Sequence, residues 1–421
     1  MMKFYKQFIS TVGLCLFSLH ASAYDINEKS SINTYISQGV MYVPDNPFIG
    51  MEDVSFEVRG VGINANYQVD DKLRFSTHIL SKKAGDALDG TPKINMLLAD
   101  YKFFQENSMD FGIRIGRIQN HYGIYNSTRY VPNSRPGIIV PQSVYFDSTF
   151  RELMMSSDGV NLYAETFNNT GAYALNVYAG NREVEQEAFE VFVFKKKTPG
   201  DFKESSIKGL KLDYVPNSEH NLNFSYSLAS FSSTLENTPF FTATQVSDAN
   251  AMIADNPQLR SDYVTSFKAD ILVQLLSAQY GVDNWLFTTE YLRANSKNSD
   301  TSILYSDQKN QSFESEAYYL QAEYLGLRNL TVYARLDYLY TDTTDRYGKK
   351  AYADGILPVS YLGYGEGRTV GMRWHIMPEL TLSAQYTRNS GTAWLPGTEG
   401  VSAKEYKEHW DWYSCRLTYE F

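Results

Sequence analysis

Residues 330–341, LTVYARLDYLYT, decide the fold. Leu330, Val332, Ala334, Leu336, Tyr338 and Tyr340 occupy one parity, while Thr331, Arg335, Asp337 and Thr341 occupy the other. Side chains two apart share a face of a strand, so this segment has one face suited to lipid and one suited to water. Its length is about that of a tilted strand crossing an outer membrane. The pattern recurs in Tyr173/Leu175/Val177/Ala179 against Asn176 and Tyr178, in Leu222/Phe224/Tyr226/Leu228 against Asn223, Ser225 and Ser227, and in Leu380/Leu382/Ala384/Tyr386 against Thr381, Ser383, Gln385 and Thr387.

A soluble sandwich alternates too, and the connections separate the two. Tight turns are expected near Asp70-Asp71, Glu106 to Ser108, Asn168 to Gly171, Pro216 to Glu219, Val282 to Asn284, Gly326 to Asn329 and Met377 to Glu379. Between them fall long connections near residues 43–54, 82–92, 119–156, 182–205, 233–262, 296–313, 342–367 and 390–408. Short turns alternating with long loops are the asymmetry of a transmembrane antiparallel β-barrel, with the turns periplasmic and the loops external. Seven turns and two ends on one side predict an all-β barrel of about 16 strands.

Composition agrees. No apolar run beyond the N-terminus reaches the ~18 residues of a membrane helix. Aromatics nevertheless make up 15% of the chain, with 33 Tyr, as interfacial girdles require. Residues 1–23 read as a signal peptide: Lys3 and Lys6, an apolar stretch from Ile9 to Leu19, then Ala21-Ser22-Ala23. Residues 24–421 are then one barrel domain, as no linker or low-complexity tract divides them. Cys415 is the single cysteine after Cys15 leaves with the leader, so no intrachain disulfide is expected. The net charge of −10 deepens to about −12 without Lys3 and Lys6, which argues against nucleic acid.

The last strand carries Tyr413, Cys415, Leu417, Tyr419 and Phe421 at every second position and ends on an aromatic. This resembles the C-terminal assembly signal of bacterial outer-membrane proteins. In length, strand count and this signature the chain resembles the 16-stranded general and substrate-specific porins of Gram-negative outer membranes. The resemblance implies a homotrimer, a water-filled pore, and a loop after the fifth strand that folds into the barrel.

The corresponding connection, 119–156, is the longest of the eight. Pro132, Pro136 and Pro141 stiffen it, and it carries Arg129, Arg135 and Arg151 against Asp147 and Glu152. With Arg114 and Arg117 on the preceding strand, the narrow zone leans basic. A ring of one sign sets which ions enter, so Arg114, Arg117, Arg129, Arg135, Asp147 and Arg151 are the expected selectivity residues, with a weak preference for anions. The expected wall charges are Arg74, Lys102, Arg114, Lys211, Lys268, Arg335 and Arg373 against Asp100, Glu165, Asp213, Asp270, Glu290, Glu323 and Asp337. Asp100/Lys102, Lys211/Asp213, Lys268/Asp270 and Arg335/Asp337, two apart, are expected to pair. Trp285, Trp374, Trp410 and Trp412 are placed in the girdles.

Chemistry has little purchase. His78, His121, His220, His375 and His409 are widely spaced, with no HExxH, GxSxG, P-loop or dinucleotide fingerprint. No enzyme, cofactor or metal is expected. His121 with Ser127 or Ser134 is the one conceivable hydrolytic grouping, and lone strand histidines are ordinarily wall residues. The expected function is passive diffusion of small hydrophilic solutes or ions through an outer-membrane pore, with lipid and lipopolysaccharide around it. The alternatives are a channel specific for an anion such as phosphate or an organic acid, and a plugged structural or adhesive barrel. No plug-sized domain precedes the first strand near Ile32, which disfavours a TonB-dependent transporter.

Overall fold

The computed structural model describes residues 24–85, 88–106, 108–129, 131–145, 154–182, 201–202, 205–218, 221–236, 243–255, 264–302, 305–395 and 404–421. The leader at 1–23 lies outside them. Among the described residues sixteen long strands form one sheet: β1 Ser30–Phe48, β2 Met51–Gln68, β3 Leu73–Ala84, β4 Lys93–Glu106, β5 Met109–Gln119, β6 Ser156–Asn168, β7 Gly171–Arg182 and β8 Ser205–Pro216. The second half comprises β9 Asn221–Glu236, β10 Val264–Val282, β11 Trp285–Ser302, β12 Tyr305–Leu327, β13 Leu330–Tyr340, β14 Tyr364–Met377, β15 Leu380–Gly391 and β16 His409–Glu420. Each pairs antiparallel with its neighbours in the chain. Short strands at Tyr24–Asn27, Leu88–Asp89 and Asp201–Phe202 are accessory.

The sheet closes on itself. β16 pairs with β1 from Tyr413↔Tyr42 to Glu420↔Tyr35, and Phe421 and Thr34 exchange backbone hydrogen bonds of 2.8 and 2.6 Å. The closing seam uses the C-terminal strand whose alternation ends in Phe421, so both termini of the barrel are fastened at the end that carries the tight turns.

The faces divide as the alternation predicts. On β13, Thr331, Tyr333, Arg335 and Asp337 point inward and are buried, while Val332 and Leu336 point outward and are exposed. Outward Leu162, Val177, Leu212, Phe224, Leu276, Leu320 and Val370 continue a belt around the wall. Tyrosines stack at its long-loop edge, Tyr318 on Tyr338 and Tyr386 on Tyr413, each pair with centroids 4.8 Å apart. Tyr173 on Tyr214 at 4.7 Å and Trp285 against Tyr324 at 4.9 Å mark the other edge. An apolar band between two aromatic girdles is the surface of a membrane-spanning barrel.

The tight turns at Glu106 to Ser108 and Pro216 to Glu219 fall partly outside the described residues, between strands that end and begin beside them, and the other five stand where expected. Two of the loops do not: strands run through most of 43–54 and 296–313, because β1–β2 and β11–β12 stay hydrogen-bonded well beyond the belt. Two tryptophans also move. Trp285 and Trp374 are exposed girdle residues, but Trp410 and Trp412 point inward and pack on Phe48. Even-numbered positions of β16 face the lumen, so parity overrides their place near the strand end.

Leu320 lies in the belt between the two girdles, and Leu320→Arg puts a cation against lipid. Urea unfolding in vesicles is expected to show a loss of about 2–4 kcal/mol, against little change for the exposed loop variant Tyr352→Arg.

Candidate functional site

The connection after β5 turns into the barrel and crosses it. Pro132 starts a short 3-10 turn at Pro132–Ser134, and Gln142–Tyr145 form a single helical turn. Fixed φ at the prolines keeps this inner loop compact without a ladder of its own. Its backbone and side chains instead reach groups on the wall. Gly123 N donates to Ser227 Oγ on β9 at 3.1 Å, and Ser143 Oγ to Asp337 on β13 at 3.0 Å. Ile138 N donates to Gln385 Oε1 on β15 at 2.9 Å, and Asn133 Nδ2 to Thr381 on the same strand at 3.2 Å. Gln321 on β12 donates to Tyr125 Oη at 3.1 Å.

Glu290 on β11 is the main latch. This carboxylate is fully buried and accepts from Tyr145 Oη at 2.5 Å, Ser277 Oγ at 2.7 Å, Tyr319 Oη at 2.8 Å and Ile124 N at 3.0 Å. Two of those donors belong to the loop and two to the wall, so one side chain couples both. Tyr145 Oη also accepts from Tyr125 N at 2.9 Å. Burial, with Glu290 beside it, pushes the Tyr145 hydroxyl well above its ordinary pKa, so it stays a donor. Gly123 is required at this contact: its φ is +57°, and a Cβ there falls 2.8 Å from Glu290 Oε1.

Apolar packing finishes the docking. Ile138, Val140, Val144 and Tyr122 of the loop join inward Met41, Ile118, Leu275, Leu292 and Leu339 of the wall in one buried cluster. The inner face is therefore not uniformly polar, because the loop brings apolar surface that the wall must match.

The expected selectivity residues separate. Arg114 faces the lumen, bonded to Asp100 at 3.2 Å and Asn176 at 3.3 Å, with its guanidinium 4.0 Å from the Tyr163 ring centroid. Arg129 and Arg135 are inside the barrel but buried, donating to Tyr145 O at 2.8 Å and to Arg129 O at 2.7 Å respectively. They brace the loop from within. Arg117 is a correction: it shares the outward parity of Ile115 and pairs with Asp158 on the outer wall at 2.7 Å. Asp147 and Arg151 lie outside the described residues.

Wall charges need similar amendment. Lys211–Asp213 at 2.9 Å and Arg335–Asp337 at 2.6 Å pair inside as expected. Lys268–Asp270 pairs at 2.8 Å, but with both side chains exposed on the outward parity of Leu272. Asp100 and Lys102 do not pair: Asp100 holds Arg74 and Arg114, and Lys102 reaches Asp110 at 2.9 Å. Cross-strand partners are nearer than residues two apart when the longer arginine lies opposite.

Sequence reasoning missed the wall's own arginine clamps. Arg373 on β14 donates to Asn133 O at 2.9 Å, and Arg416 on β16 to Pro132 O at 3.1 Å and Ile138 O at 3.3 Å. Alternation marks Arg416 as inward between Ser414 and Thr418, but nothing local shows that it meets a loop 278 residues away. Arg129, Arg135, Arg416 and Lys82 line one small cavity of about 40 Å³. Burial, then Arg114 and Lys211, push His121 down to about 3, so it is neutral. Among the described residues no group of three or more His, Cys, Asp or Glu could hold a metal.

A closed sixteen-strand membrane barrel with a loop folded into its interior has the fold of the outer-membrane porins. Three solved structures carry the likeness: an outer membrane protein of Vibrio cholerae, OmpT lacking loop L8, the anion-selective porin from Comamonas acidovorans, and the outer membrane channel DcaP of Acinetobacter baumannii. Their identities are 10%, 11% and 10%, with TM-scores of 0.55, 0.54 and 0.52. The matches cover 93%, 93% and 96% of this chain and 99%, 99% and 100% of theirs. No protein-family model matches the sequence, and neither does any curated protein.

Glu290→Ala strands four donors at the latch, each costing about 1–3 kcal/mol when left buried without an acceptor. The barrel is expected to stay folded, by its heat-modifiable gel mobility, while limited proteolysis cuts the 120–145 loop faster. Tyr145→Phe is expected to give a smaller effect in the same assay.

Proposed function

We propose that the chain is a passive channel for small hydrophilic solutes across the outer membrane, with a weak preference for anions, acting as a homotrimer. The observation that carries this reading is the inner loop, held across a membrane barrel by clamps from wall strands β9 to β16. A loop held there narrows a passage rather than decorating its mouth.

The sign follows from how the clamps are made. Arg373 and Arg416 hold the loop through carbonyl oxygens, and a carbonyl accepts a hydrogen bond without cancelling a formal charge. The positive field of Arg416 and the neighbouring Arg135 therefore persists beside the loop, offset near Arg373 by Glu323, and there it favours anions. Among the solved neighbours, the Comamonas acidovorans protein is an anion-selective porin and OmpT of Vibrio cholerae has a trimer form; at 11% identity each, they support the class. No catalytic residue is proposed.

One observation favours a second reading, a plugged structural barrel: the loop and wall share a continuous buried apolar cluster. Conductance separates the two. In a planar bilayer under a KCl gradient the refolded protein is expected to open and to show an anion-side reversal potential. Arg373→Gln with Arg416→Gln is expected to move that potential towards cations, and Arg416→Lys alone to leave it in place. Arg117→Glu, on the outer wall, is expected to leave it unchanged. A bilayer that stays silent overturns the channel and selects the plugged barrel; open channels indifferent to the double variant discard the selectivity assignment alone.

A further inference from the structure

The outer wall holds a feature that permeation does not use. Arg368 on β14 and Arg388 on β15 are direct cross-strand partners, both exposed on the outward parity. Like charges directly opposite in a ladder are destabilising. Elsewhere on the outer surface arginines hold carboxylates, as in Arg117–Asp158 at 2.7 Å and Arg293–Glu314 at 2.6 Å. Arg368 and Arg388 have no hydrogen bond or ion pair among the described residues. The nearest acid in the row, Asp411, faces Arg388 across the β15–β16 ladder and accepts from Tyr386 Oη at 3.0 Å.

Their height on the wall is informative. They lie between the stacked pairs Tyr318–Tyr338 and Tyr386–Tyr413, at the long-loop edge of the belt, where lipid headgroups meet water. Below them the wall is concave. A groove of about 800 Å³ runs from Phe224 past Leu320, Leu336 and Val370 to the two arginines. Its lining is mainly outward-facing, with the inward-parity Gln279, Thr288, Gln321, Arg335 and Thr369 touching it from between those side chains.

An apolar groove capped at the headgroup level by two cations lacking carboxylate partners is complementary to an amphiphile with a compact anionic head. We infer that this groove binds an outer-leaflet lipid, its acyl chain along Leu320, Leu336 and Val370 and its phosphate bridging Arg368 and Arg388. A phosphate suits the pair because planar guanidinium groups hold its oxygens bidentately. The bound dianion also removes the repulsion between the facing arginines, which gives both a reason to be there. This inference does not depend on whether the barrel conducts.

Native mass spectrometry of the refolded protein in a neutral detergent tests it, using lipid A, lipid A stripped of its phosphates, and inorganic phosphate as probes. Lipid A is expected to remain bound, with occupancy at least about tenfold lower for the dephosphorylated form and for the Arg368→Gln/Arg388→Gln variant. Inorganic phosphate at millimolar concentration is expected to give no retained adduct, since it lacks the chain that fills the groove. In detergent alone Arg368→Gln, which leaves Arg388 opposite Asp411, is expected to raise the melting temperature, and with lipid A present to forfeit the stabilisation that the parent gains. Equal retention of lipid A by parent and double variant overturns the inference. So does an oligomer that excludes lipid and dissociates on Leu320→Arg, which would assign the groove to a second copy of the chain.

Discussion

Everything in this structure depends on satisfying backbone hydrogen bonds where no water is available. A sheet in lipid cannot leave an edge, since each orphaned N–H or C=O costs several kcal/mol, so the last strand must find the first. The β16–β1 seam does this, and the exchange between Phe421 and Thr34 carries the pairing to the chain's final residue. Closure then imposes the rest: one parity of every strand faces lipid and the other faces an interior that has to be filled or wetted.

That interior explains the inner loop. A long connection has many backbone groups and no ladder to place them in, so it can be held inside only if the wall supplies donors and acceptors. Glu290, Gln385, Ser227, Arg373 and Arg416 supply them, and the apolar cluster around Val140 and Val144 removes the remaining surface from water. The arginines are consequently structural and electrostatic at once. Their hydrogen bonds hold the loop, and in the proposed channel the charge on Arg416 would bias the space beside it.

The outer surface follows a different economy. In the belt, apolar side chains meet lipid; at its edges aromatics stack; beyond it charges pair across strands, as in Arg293–Glu314. Arg368 and Arg388 depart from that order: they face each other across the ladder without an ion pair, and Asp411 stands opposite Arg388 alone.

The architecture was legible in the sequence because its two signals are local. Alternation over LTVYARLDYLYT and its counterparts needs only neighbouring residues, and tight turns such as Asp70-Asp71 are set by short-range backbone chemistry. The site was legible in part: parity placed Arg114, Glu290, Arg335 and Asp337 inside, and the length and prolines of 119–156 singled out the loop. The same parity, applied more strictly, would have put Arg117 and Lys268 outside and Trp410 and Trp412 within. What no local rule could supply was the pairing of residues distant in sequence. That Glu290 meets Tyr145, or that Arg416 meets Ile138, depends on where a closed barrel brings a loop against its far wall, and only the tertiary structure decided it.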